Sequence, residues 1–127
     1  MSRKRIAVTL PAGPRIADTV ERIRWAEENG IPDAWFSDSG APDTLTQVAA
    51  IAHQTSAIRI GTAVTPVYTR SPSVLAASAN VLGQLLPDRF ILGLGSSSQT
   101  LMGPFNGIPL EKPLTRVRET AALVKIV

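Results

Sequence analysis

The sequence predicts an α/β fold of four consecutive strand–helix units around a parallel sheet, on three observations. Short apolar, β-branched runs recur at residues 6–10, 34–36, 58–64 and 90–94. A longer stretch with helical periodicity follows each of them. Strand starts near residues 6, 33, 58 and 89 leave the spacing that a right-handed βαβ crossover requires.

Each unit has its own signals. The first helix is expected over residues 16–29, with Ile16, Val20, Ile23 and Ala26 on one face and Gly30 where a C-terminal stop belongs. The second begins near Asp43, an N-cap residue type, and is expected to bury Leu45, Val48, Ala49 and Ala52. Ser71-Pro72, a cap followed by proline at the first helical position, opens the third, which presents Val74, Ser78, Val81, Leu82 and Leu85. The fourth starts near Pro113 with Leu114, Val117, Ala121 and Val124 on one side, and reads as still unfinished at Val127. Trp25 and Trp35 are expected to pack, on the first helix and the second strand. Four such units fit either a small doubly wound sheet or half of an eight-stranded barrel, and periodicity alone does not separate the two.

Composition narrows the function classes. The 127 residues contain no cysteine, which excludes disulfides, thiolate metal sites and a cysteine nucleophile, so redox chemistry here requires a bound cofactor. The net charge of +3 comes from 13 basic and 10 acidic side chains. The one basic run, Arg3-Lys4-Arg5, reads as a solvated terminus rather than a nucleic-acid contact, because no basic face with interleaved aromatics recurs. No apolar run approaches a membrane span, and residues 1–10 lack the apolar core and cleavage site of a secretory signal. A soluble cytoplasmic protein without membrane or nucleic-acid partners is the expectation.

In either architecture a ligand sits beyond the carboxyl ends of the strands. The chain places four clusters there: Pro11-Ala12-Gly13; Ser37-Asp38-Ser39; the segment from Thr65 through Tyr68 to Arg70; and Gly93-Leu94-Gly95-Ser96-Ser97-Ser98, opening a loop that runs to about Lys112. Asp38 directly after a strand suits a hydrogen-bond or proton acceptor, or equally a helix cap or turn. Gly93 and Gly95 permit close backbone approach but lack a dinucleotide fingerprint and a Walker lysine. Tyr68 and Arg70 suit a planar or anionic ligand, although an arginine pairing with a helix-end acid fits as well. Ser96, Ser97 and Ser98 can donate to a ligand or merely keep a loop polar. His53 has no second ligand at metal spacing, so no metal site is expected.

The residues from Trp25-Ala26-Glu27-Glu28-Asn29-Gly30 through Asp33-Ala34-Trp35-Phe36-Ser37-Asp38 resemble the opening of the luciferase-like monooxygenase family. The resemblance continues through residues 58–64, 68–72 and 88–95 and into residues 112–119, and so covers nearly the whole chain from about residue 20. It implies a (β/α)8 TIM-type barrel of which residues 1–127 supply the first four units, an N-terminal half cut in the fourth helix. It implies a hydride-transferring oxidoreductase that binds a flavin or deazaflavin at the C-terminal face of the barrel. The phrase from Val64 to Pro72 looks most like the deazaflavin-using branch, which favours coenzyme F420 over FMN. In that branch a non-prolyl cis peptide supports the ring, and the matching position is Ala63-Val64; Asp38 matches an acidic position near the ring's pyrimidine end.

On this resemblance Asp38, Ala63, Val64, Gly95 and Ser96 contact the cofactor, while Tyr68, Arg70, Ser97 and Ser98 shape the pocket for a small-molecule substrate. Two departures bear on the chemistry: Ser39 stands where the sugar-phosphate dehydrogenases of the family carry a histidine, and Ser98 or its neighbours stand where they carry a glutamate. The catalytic residues are therefore left open, as is the alternative of a monooxygenase using reduced FMN and oxygen. A different class of reading is a non-catalytic half-barrel that self-associates as a homo-oligomer, or pairs with a missing C-terminal half, to cover its open edges. A doubly wound nucleotide-binding sheet is the weakest reading, since its glycine fingerprint is missing.

Overall fold

A computed structural model describes residues 4–126. Met1, Arg3 of the basic run and Val127, where the fourth helix reads as unfinished, lie outside them. The elements follow the expected order: β1 (Ala7–Thr9), α1 (Ile16–Glu28), β2 (Asp33–Phe36), α2 (Thr44–Ile51), β3 (Arg59–Thr62), β4 (Thr65–Pro66), α3 (Pro72–Leu85), β5 (Phe90–Ile91), β6 (Leu94–Gly95) and α4 (Pro113–Val124). A 3-10 turn at Ala52–Gln54 extends α2, and a π-helical turn at Leu101–Phe105, with no sequence signature, interrupts the last loop.

The main sheet has the order β1-β2-β3-β5, every pair parallel. Sequential order alone does not choose between barrel and doubly wound sheet; the placement of the helices does. Ile23 and Ala26 of α1, Val48 and Ile51 of α2, Leu75 and Leu82 of α3 and, at its margin, Val124 of α4 share one core with Ala34, Phe36, Ile58 and Ile60 of the sheet. Helices thus cover a single face, as in a barrel, whereas a doubly wound sheet is covered on both. By strand alternation Asp33, Trp35, Arg59, Gly61 and Ile91 point to the other face, the concave interior. There Trp35 lies over Gly61, where a Cβ would fall 2.5 Å from the indole.

The third and fourth strands, expected as unbroken runs, each divide in two. β3 pairs with β5 through Ile60 and Gly61, and the ladder resumes between β4 and β6 with Thr65 opposite Leu94. At the break the Thr62 hydroxyl replaces backbone partners: it donates to the Gly93 carbonyl at 2.9 Å and accepts from the Gly93 amide at 3.0 Å. The chain therefore bends without losing its hydrogen bonds.

The helix caps match their signals. Asp43 accepts from the Thr46 amide at 2.9 Å, Ser71 accepts from the Val74 amide at 3.3 Å ahead of Pro72, and Gly30 takes φ 71° at the end of α1. Several faces are corrected. In α3 the buried positions are Leu75, Ala76 and Leu82, while Val74 and Val81 are exposed, because the helix is turned by about one residue from the expected stripe. Leu114 and Ile16, each in the first turn of its helix, are exposed. Trp25 is exposed rather than packed, since Ala26 takes the core position beside it. Arg5 is not a free basic residue: its guanidinium forms a two-pronged pair with Asp33 at 3.0 and 2.9 Å.

Candidate functional site

The candidate residues converge at the carboxyl end of the sheet. The Ala63-Val64 peptide bond is cis, at the position the resemblance implies. Val64 follows β3 and is 39% exposed, an apolar side chain presented at the rim of the interior. Gly95 on β6 lies against it: a Cβ on Gly95 would fall 2.4 Å from a Val64 methyl. Gly93 is tighter still, with a Cβ position 2.0 Å from the Thr62 carbonyl oxygen. Both glycines are required by close approach rather than by φ, which explains a GxG pair that carries no phosphate fingerprint.

Beside this shelf is a cleft of about 230 Å³ whose wall includes Asp38, Asp43, Arg70, Ser97 and Met102. Arg70, in the loop before α3, reaches across to the loop after β2. Its Nη1 donates to Asp38 Oδ2 at 2.7 Å, and its Nη2 donates to Asp43. Burial works against charge on Asp43, but hydrogen bonds from Thr46 and from Arg70 outweigh it and hold this carboxyl below its usual range. Burial likewise works against the Arg70 charge and is outweighed by Asp38 and Asp43, so its pKa is raised. The pairing reading of Arg70 is the one the structure shows, in that it pairs with the helix-end acid Asp43 and with Asp38, while it also lines the cleft. With one guanidinium between two carboxylates, the wall of the cleft tends to a net negative charge and offers no unpaired cation for an anionic ligand.

The serines separate. Ser97, at φ 62°, lines the cleft, whereas Ser98 accepts from the Leu101 amide at 3.3 Å and opens the π-helical turn. Ser96 directs its hydroxyl to the Ser97 carbonyl at 3.3 Å. Tyr68 faces a neighbouring groove of about 340 Å³, where its ring lies 5.5 Å below the Arg116 guanidinium and its hydroxyl donates to the Glu111 carbonyl. Arg70 borders this groove too, so the expected substrate-side residues flank two adjoining depressions rather than one. His53 is exposed in the turn after α2, and no group of three His, Cys, Asp or Glu side chains among the described residues could hold a metal.

Sequence reasoning missed three residues that shape this region. Thr62 staples the strand break, Met102 from the π-helical turn closes the cleft, and the Thr65 hydroxyl is buried with no hydrogen-bond partner. An isolated threonine in a strand carries no signal beyond β propensity.

With the fold and cleft described, similarity to known proteins decides the family. Residues 1–127 match the luciferase-like monooxygenase family along their whole length. The chain belongs to this family. Over 117 residues it is 34% identical to the 5,10-methylenetetrahydromethanopterin reductase of Methanolobus tindarius, covering 91% of this chain and 35% of the reductase. It is also 34% identical over 113 residues to the F420-dependent glucose-6-phosphate dehydrogenase of Kineococcus radiotolerans, covering 79% of this chain and 33% of that enzyme. Among solved structures, the coenzyme F420-dependent tetrahydromethanopterin reductase of Methanopyrus kandleri superposes with a TM-score of 0.86 at 24% identity, over 94% of this chain and 39% of that one. The oxygenating constituent of the 3,6-diketocamphane monooxygenase of Pseudomonas putida, in complex with FMN, superposes with a TM-score of 0.82 at 20% identity, over 94% of this chain and 38% of that one. These likenesses establish the TIM-barrel fold. The chain spans about a third of the length of the curated relatives it matches.

Among the described residues no helix is long and apolar enough to cross a membrane.

Proposed function

We propose that this chain is the cofactor-face portion of an oxidoreductase that transfers a hydride between coenzyme F420 and a small organic substrate. The observation that carries the reading is the apolar shelf of Val64 backed by Gly95, in a chain 34% identical to an F420-dependent dehydrogenase. When bound, the deazaflavin supplies the hydride chemistry.

The residues supply orientation. A planar ring resting on Val64 needs a flat floor, and any side chain at position 95 would push that floor out of place. Arg70 holds the nearly buried Asp38 carboxylate in the wall of the cleft, where it would accept from a ring N–H that reached it. Ser97 lies on the wall of the cleft, where its hydroxyl would be available to a substrate hydroxyl or carbonyl. Ala63 and Ser96 flank the shelf through their backbone. The electronegative wall suits a neutral reacting group better than an anionic one.

The test is titration of the chain with F420 and, separately, with FMN, followed by fluorescence, with particle mass measured by light scattering. Saturable F420 binding that is abolished in Gly95→Val supports the reading. Preference for FMN moves it to the monooxygenase side of the family. A soluble particle of defined mass that binds neither overturns it for this chain and leaves the self-associating half-barrel as its description.

A further inference from the structure

The loop between β6 and α4 is hydrogen-bonded chiefly to itself. The Met102 amide donates to the Ser98 carbonyl at 2.9 Å, Gly107 to Gly103 at 2.6 Å and Ile108 to Met102 at 2.7 Å, and the Asn106 side chain donates to the Leu101 carbonyl. Among the described residues, one hydrogen bond joins residues 98–111 to the rest of the chain: the Tyr68 hydroxyl donates to the Glu111 carbonyl. A compact loop that satisfies its own backbone groups can move as a unit without leaving them unpaired.

Both ends of this strap have unusual backbone. Ser97 at φ 62° and Lys112 at φ 45° are two of the three non-glycine residues in the left-handed region among the described residues. Side chains other than glycine populate that region sparsely, so a residue stays there only while its surroundings hold it, and such positions concentrate at switch segments. Between these ends the strap is held down over the cleft. Met102, 2% exposed, is inserted in the cleft wall, and the Phe105 ring lies 3.6 Å from where a Cβ on Gly40 of the facing loop would fall. The cleft so covered measures about 230 Å³, below the roughly 300–1,000 Å³ of sites that enclose a drug-sized ligand. A ligand of that size enters when the strap rises.

We propose that residues 98–111 form a lid over the cleft, turning about Ser97 and Lys112, and that Tyr68 is the positioning residue that latches it shut through its hydroxyl. Arg116 lies 5.5 Å over the same ring and keeps the hydroxyl aimed at Glu111. This gives Tyr68 a task in the cleft although its side chain faces a neighbouring groove. The lid stands on the geometry of the cleft, whichever ligand the cleft takes.

The sequence contains no cysteine, so a single introduced thiol reports its own exposure without background. Met102→Cys places one on the underside of the lid and Leu75→Cys places one in the core, at positions 2% and 0% exposed. The rate of reaction with an aromatic disulfide that releases a coloured thiolate measures how often each is uncovered. The lid thiol is expected to react about tenfold faster than the core thiol, which global unfolding uncovers. Tyr68→Phe keeps the ring beside Arg116 and removes the hydroxyl; it is expected to speed the lid thiol about fivefold. Val48→Ala, a core substitution, is expected to speed the core thiol and leave the lid thiol unchanged, because it weakens the closed and open forms alike. Circular dichroism checks that Met102→Cys folds; if it does not, Leu101→Cys, which lines the same cleft, takes its place. Equal rates at the two thiols mean that the cleft opens only with the whole fold, and overturn the lid. A lid thiol indifferent to Tyr68→Phe overturns the latch, since a side chain that merely supports the fold acts as Val48 does.

Discussion

Individual residues at the two ends of the sheet do opposite work. At the amino end Asp33 is held by hydrogen bonds from Arg59 and Arg5, which lower its pKa from 3.8 to about 2 against the effect of burial. A depressed carboxyl stabilises the fold above its unfolded pKa, and that contribution is lost as the pH falls. Urea midpoints are therefore expected to hold steady above about pH 4 and to drop between pH 3.8 and 2, a drop that is shallower in Asp33→Asn. At the carboxyl end the controlling quantity is space. Gly93→Ala forces a methyl group to within 2.0 Å of the Thr62 carbonyl, and chemical denaturation should show a loss of about 1–3 kcal/mol. Asp38 and Arg70 were visible in the sequence as candidates because polar residues directly after apolar strands are few. Their pairing was not visible, since it joins side chains 32 positions apart.

Elements were legible to the extent that their signals are local. Asp43 and Ser71-Pro72 mark helix starts through contacts within one turn, and both helices begin there. Asp43 also holds Arg70, so Asp43→Ala is expected to lose the cap, about 1 kcal/mol, and in addition to weaken cofactor binding by releasing Arg70; calorimetry and the F420 titration separate the two effects. Gly83 offers the converse case. It is exposed on α3, and a methyl group added there would meet nothing within 4 Å, so Gly83→Ala should raise stability by about 0.5–1 kcal/mol in thermal unfolding. The rotation of α3 and the division of the third and fourth strands escaped the sequence because both depend on partners. An apolar stripe two residues wide admits neighbouring rotations, and only packing into the shared core selects Leu75 over Val74.

Across the whole molecule, the joints between units matter as much as the core. Glu27, at the end of α1, accepts hydrogen bonds from the amides of Ser56, Ala57 and Ile58 at 2.9, 2.6 and 2.9 Å and so ties the first unit to the start of the third strand. Burial opposes its charge, yet these amides hold its pKa below the usual value. Glu27→Ala should destabilise the whole chain by about 2 kcal/mol, read as a shift in urea midpoint with an unchanged slope, because the unpaired amides lose a charged acceptor. The carboxylate lies at the amino face, away from Asp38 and Val64, so cofactor affinity should be unaltered in the folded variant.

The sequence by itself determined the order of strand–helix units, the helix starts and the family to which the chain belongs, because hydrophobic period, caps and turn residues act over a few positions and motif order survives in the linear chain. The tertiary structure decided which face each helix buries, that all helices cover one side of the sheet, and that Asp38, Asp43 and Arg70 form one cluster while Tyr68 faces its own groove. It also turned part of an apparently solvated basic run into a charged layer of the interior. The physical reason is the same in each case: these outcomes depend on contacts between residues about 25 or more positions apart, and the alternation of apolar and polar residues says which side of an element faces inward but not what it will meet there.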